Sequence, residues 1–177
     1  MKILRNFVLV LFLQLLLQAG LAQAEGPVKG TTRGDVEVVL QQHKVVKHGK
    51  HEALEAADGI KPGETVEYQA TYRNTTHSAV HQLYATLPIP AETEYLPGSA
   101  KPARVEASLD SVNYAPVPLR RKVTLANGQI EERDIPASEY RSLRWAIGDL
   151  AADAKITVFA RVRLAPVGQA KAEEGKK

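Results

Sequence analysis

Five histidines are the residues best suited to chemistry: His43, His48, His51, His77 and His81. Imidazole binds metals and exchanges protons near neutral pH. His48 and His51 are three apart, and a helix would set them on one face. A zinc site needs three or four ligands held tetrahedrally, with supporting groups behind them. The chain has no cysteine, and Lys44, Lys47 and Lys50 stand among these histidines and repel a cation. The residues favour a solvated basic turn. For nucleophilic catalysis, no Gly-x-Ser-x-Gly occurs. No local spacing links a serine, a histidine and an aspartate. The expectation is no catalytic residue, no cofactor site and no metal site.

Other polar clusters are weighed the same way. Glu131, Glu132 and Asp134 lie beside Asn127-Gly128. A calcium or glycosidase site would need carboxylates that converge. On an alternating strand Glu131 and Glu132 point to opposite faces, so a solvated hairpin is expected. Arg120-Arg121-Lys122 could meet an anionic polymer, but a strand splits the three between its faces. Asn74-Thr75-Thr76 matches a glycosylation sequon. Asn74 reads more simply as the turn residue that ends a strand. Trp145 is expected in a core between two sheets. A sugar-binding site would instead need exposed aromatics, for which Tyr95 and Phe159 are the candidates.

The elements that must carry these residues are strands. Lys61 to Ser99 organises the chain. Pro62-Gly63 is a turn. Val66, Tyr68, Ala70 and Tyr72 then alternate with polar residues, the period of a half-buried strand. A polar break over residues 74–78 leads to a second apolar run, Ala79 to Leu87, stopped by Pro88. Upstream, Asp35 to Val46 is valine-rich and predicts one strand or two short ones. His51 to Asp58 has helix-forming residues but is short for a helix, so an extended or irregular segment is expected. Downstream, Arg104 to Leu109 and Val112 to Val117 predict a hairpin whose second arm, with Pro116 and Pro118, lies at a sheet edge. Asn127-Gly128 predicts a hairpin between Leu119 to Leu125 and Gln129 to Ile135. Ser142 to Ile147 predicts a short strand closed by Gly148-Asp149. Ile156 to Leu164 alternates cleanly. The sum is an all-β chain of about eight or nine strands, an antiparallel sandwich.

Length and charge bound the rest. Lys2 and Arg5, the apolar run Phe7 to Leu17 and the small residues Ala22-Gln23-Ala24 have the layout of a signal peptide cut after Ala24. The run is shorter than the roughly 20 residues of a spanning helix, and no transmembrane segment is expected after cleavage. The mature chain would hold 153 of the 177 residues, and losing Lys2 and Arg5 takes the formal charge from +3 to +1. Nucleic-acid binding gains little from so small a charge. The expected layout is a signal peptide over 1–24, a flexible segment over 25–34, a single sandwich domain over 35–166 and a disordered polar tail over 167–177. Without cysteine, an exported domain of this size must be held by its core alone.

The stretch PGETVEYQATYRNTTHSAVHQLYATLPIPAETEYLPGSA resembles the bacterial repeat family DUF11. That family runs Pro-Gly-acidic, Val-x-Tyr, a strand ending in Asn-Thr, then Leu-Pro and Pro-Gly-Ser. LRWAIGDLAADAKITVFARVRL looks like the family's ending, with an aromatic residue, Ile-Gly-x-Leu, a turn and an alternating last strand. The likeness covers residues 57–164. Thr86 and Thr76 depart from the family's Asp and Gly, and one copy stands where the family has tandem arrays. The resemblance implies an immunoglobulin-like sandwich in the cell envelope and assigns no activity. The expected function is a non-catalytic exported module, periplasmic or extracellular, whose partner is an envelope protein or a surface polymer. The alternatives are a carbohydrate- or metal-binding module, or an enzyme with a loop-built site. Strand addition at Ile156 to Leu164 is the expected mode of contact, with Arg161 and Arg163 facing an acidic partner.

Overall fold

A computed structural model describes residues 32–166. The expected signal peptide with its cut at Ala24, most of the 25–34 segment and the 167–177 tail lie outside the described residues. The described chain is all-β and antiparallel, with one short 3-10 turn at Ala137–Glu139. Twelve strands are described where eight or nine were expected. The excess comes from β1 and β6, two and three residues long and too brief to show a period in sequence, and from the six-residue β3, expected only as an extended or irregular segment.

β1 (Thr32–Arg33) pairs with β2 (Val36–His48), so the ladder begins inside the segment expected to be flexible. β2 turns at Gly49-Lys50 into β3 (His51–Ala56). Pairing with β2 thus overrides the helical composition of that stretch. β4 (Thr65–Asn74) is the alternating strand predicted from Val66 to Tyr72. β5 (Val80–Pro88), β6 (Thr93–Tyr95), β7 (Glu106–Ser108) and β8 (Ala115–Pro116) follow. β9 (Arg120–Thr124) and β10 (Ile130–Asp134) form the hairpin that Asn127-Gly128 announced. Gly128 sits at φ 81°, a left-handed angle that suits glycine. β11 (Ser142–Leu150) runs past Gly148, where it was expected to stop. A β-bulge between Ala146 and Gly148, with Gly148 at φ 80°, absorbs the glycine without ending the ladder. β12 (Lys155–Leu164) closes the chain.

One sheet runs β1-β2-β4-β12-β6, with β3 beside β2. The other runs β5-β11-β7-β8. β9 and β10 pair only with each other and are exposed on both faces except at Val123. The core between the two main sheets takes Val66, Ala70, Tyr72, Val158, Ala160 and Val162 from one side and Ala85, Leu87, Ala107, Leu143 and Trp145 from the other. Tyr68 and Leu83 pack against it while partly exposed. Each fully buried large side chain contributes about 1.5–3 kcal/mol. Trp145 is buried as expected, and its Nε1 donates to the Pro102 carbonyl at 2.8 Å. Tyr140 stacks on Tyr95 at 6.1 Å and accepts the Leu119 N–H at 2.9 Å.

Candidate functional site

Period-two alternation sends Trp145 and Leu143 into the core and Arg144 and Ser142 to the outer face of the four-stranded sheet. The same rule turns Tyr84 and Thr86 outward on β5. Cross-strand register places Arg144 opposite Thr86 on one side and opposite Glu106 on the other, and Glu106 opposite Pro116. Tyr84 and Tyr114 are therefore diagonal neighbours of that row, within reach of a long side chain.

The Arg144 guanidinium lies over both rings, 4.9 Å from the centre of Tyr84 and 4.1 Å from that of Tyr114. Its Nε and Nη2 both donate to Oε2 of Glu106, at 3.0 and 2.7 Å. The Tyr114 hydroxyl meets Ser142 Oγ at 2.9 Å. Two aromatics, an arginine and a carboxylate are thus held in one row across β5, β11, β7 and the residue before β8. Tyr84 remains 52% exposed, a large apolar ring open to solvent at the end of that row. Such an arrangement can bind by stacking and by hydrogen bonding; it offers no nucleophile poised beside a base.

Next to it, a groove of about 430 Å³ is walled by Leu109, Pro116, Pro118, Leu119 and Ile135. Asp110 borders the groove but is spent on its own loop. Oδ1 accepts from the Val112 N–H, the Asn113 N–H and Ser108 Oγ, and Oδ2 accepts from Asn113 Nδ2. The N–H of Asn113 foremost, then that of Val112, holds the Asp110 carboxyl well below the usual range.

The residues singled out from sequence are dispersed. His48 and His51 face each other across the β2-β3 turn, on a hairpin and not a helix. His48, His77 and His81 approach Glu55, Asp153 and Asp149 in separate places. Among the described residues no three histidines or carboxylates group as metal ligands would. Glu131 pairs with Arg133, and Asp134 with Arg120, along the exposed hairpin. Arg121 pairs with Glu139. Tyr95 is only 1% exposed and offers no ring for stacking, while Phe159 is half-buried.

Asn74 does far more than end a strand. It is fully buried, and its Nδ2 donates to the carbonyls of Ser78, Leu150 and Ala151. Its Oδ1 accepts from the Thr76 N–H and Thr76 Oγ1. A side chain so engaged has no free amide for a glycan.

The open-edge expectation for β12 is overturned. β4 flanks it from Lys155 to Arg163, and β6 takes the other side at Val162–Leu164. Leu96 and Lys101 bond its backbone at Arg161 and Phe159. Arg161 is engaged by Glu67 at 2.8 Å and Glu52 at 2.7 Å, which leaves Arg163 as the exposed arginine. The Arg161 hydrogen bond, the largest cause, pulls the Glu52 carboxyl below its ordinary value. Alternation reveals which face a strand shows but not which strands lie beside it, and that gap produced the error. The proline-bearing edge was read correctly: β8, with Pro116, ends the other sheet.

No family model, curated protein or solved structure matches this chain.

Proposed function

We propose that this chain is a non-catalytic, immunoglobulin-like sandwich exported to a bacterial cell envelope, where it works by contact with another protein. Its contact surface in this reading is the outer face of the four-stranded sheet. One observation carries it: Arg144 stacked between Tyr84 and Tyr114 and fixed by Glu106. Tyrosine and arginine dominate the energetics of protein interfaces. Side chains already ordered lose less freedom on binding. The DUF11-like turns and the leader-like first residues support the envelope placement. A face suits the task better than an edge here, because β12 is flanked on both sides and β8 carries a proline.

A photo-crosslinking residue at position 84 tests the reading in cells. A control at position 73, on the other sheet, reports nonspecific contact. One protein adduct is expected from position 84 and none from position 73. Arg144→Ala should abolish the adduct and weaken binding by about thirtyfold, the scale of an interface hot spot. Equal adducts from both positions, or one indifferent to Arg144, would refute the assignment. The half-exposed Tyr84 ring also suits sugar stacking. Glycan-array binding lost in Tyr84→Ala would replace the protein partner with a surface polymer.

A further inference from the structure

We propose that the Tyr72 hydroxyl closes the outer edge of β5 to strand addition, and that the occupant it excludes is a second copy of this chain. β5 is the terminal strand of its sheet, with β11 on one side. On the other side, the Thr86 N–H donates to Tyr72 Oη at 2.8 Å, and Tyr72 Oη donates to the Thr86 carbonyl at 2.7 Å. One hydroxyl from the opposite sheet thus occupies both backbone groups that a neighbouring strand would use. Tyr72 itself is buried, 6% exposed, so its hydroxyl is held in place by core packing.

The rest of that edge shows why this position matters. Backbone groups alternate sides along an antiparallel strand. Register with β11 is regular from Tyr84 to Pro88. Tyr84 and Pro88 therefore direct their groups the same way as Thr86. Pro88 has no N–H to give. Gln82, at φ 55°, leaves the extended path. Tyr84 and Thr86 are the two successive positions where a ladder could form, and Tyr72 removes one of them.

Natural sheets guard their edges with charges, prolines and bulges. Leu83 to Leu87 carries no charge. It is also self-complementary. A copy approaching about a two-fold axis at Ala85 sets Tyr84 opposite the copy's Thr86, and Thr86 opposite its Tyr84. Four backbone hydrogen bonds and two aromatic–β-branched cross-strand pairs would follow. The hydroxyl of Tyr72 is the guard at the centre of this stretch.

Tyr72→Phe keeps the ring and removes the hydroxyl. Sedimentation of wild type and variant over the same concentration range should show a dimer tighter by about tenfold or more in the variant, since freed hydrogen bonds are regained between copies. Tyr72→Phe with Thr86→Pro should return to the wild-type state, because proline restores a donor-free edge. Hydrogen exchange on wild type should find the Thr86 amide slow and the Tyr84 amide fast, a readout that survives even if the variant fails to fold. A folded Tyr72→Phe protein no more associated than wild type would overturn the proposal. So would equal association of the double variant, or equal exchange at residues 84 and 86. Binding of a Leu83–Leu87 peptide without self-association would overturn the choice of a second copy.

Discussion

Asn74 shows how much one buried amide can hold. It ends β4, yet its side chain reaches the carbonyls of Leu150 and Ala151 at the β11-β12 turn and of Ser78 in the loop before β5. Asn74→Ala takes the donor from the buried Leu150 carbonyl, while the Ser78 and Ala151 carbonyls keep Thr76 Oγ1 and the Ala154 N–H. Urea unfolding should register a loss of roughly 2 kcal/mol, the scale of one buried group left unsatisfied together with the lost hydrogen bonds around it. The sequence marks Asn74 as a turn residue and nothing more, because its partners lie up to 77 positions away. Tyr84, Arg144 and Tyr114 are hidden for the same reason: β5, β11 and the residue before β8 supply them, and only register brings them together. An outward tyrosine in an otherwise polar set of positions on β5 was the one available signal. Asp110 makes a prediction about pH. Its folded carboxyl is depressed, by the Asn113 N–H above all. Its contribution is therefore complete above the unfolded value of about 4 and is lost as pH falls below that toward the folded value. Urea midpoints of Asp110→Ala should fall less steeply with acid than wild type below about pH 4. Parallel slopes in that window would show that the loop does not depend on the ionised carboxylate.

At the scale of elements, the strands differ in what they bury. β4 and β12 alternate cleanly because one face meets the core, and that made both legible. β3 was not legible, since its Ala-Leu-Glu composition says nothing of its pairing with β2. Arg161 now joins β12 to Glu67 on β4 and to Glu52 on β3. Arg161→Glu with Arg163→Glu would set a carboxylate against two others, so this double substitution is not a neutral change of surface. Arg161→Ala should quicken amide exchange in β3 while moving the global midpoint little, as partly exposed ion pairs contribute under about 1 kcal/mol. The β9-β10 hairpin is the contrasting case. Its ladder is exposed on both faces apart from Val123, and its ion pairs are solvated. Replacing residues 121–133 with a short turn should change unfolding free energy by less than about 1 kcal/mol. A loss several times larger would mean that the hairpin packs on the sandwich after all.

For the whole molecule, the two sheets share one core assembled from strands distant in sequence, and no disulfide reinforces it. Cohesion then depends on the strands that feed this core surviving maturation. The expected cut after Ala24 meets that condition. The first described ladder residue is Thr32, paired with Glu37, so cleavage would remove no described paired backbone. The apolar run Phe7 to Leu17 is too short to span a bilayer comfortably, and Ala22-Gln23-Ala24 offers the small residues that a signal peptidase accepts. Intact-mass measurement of the protein recovered from the envelope fraction should therefore give a chain beginning at Glu25. Ala22→Asp with Ala24→Asp should block processing and hold a longer chain at the membrane. Wild-type protein that still begins at Met1 in the membrane fraction would show that the first residues anchor the sandwich instead of addressing it for export.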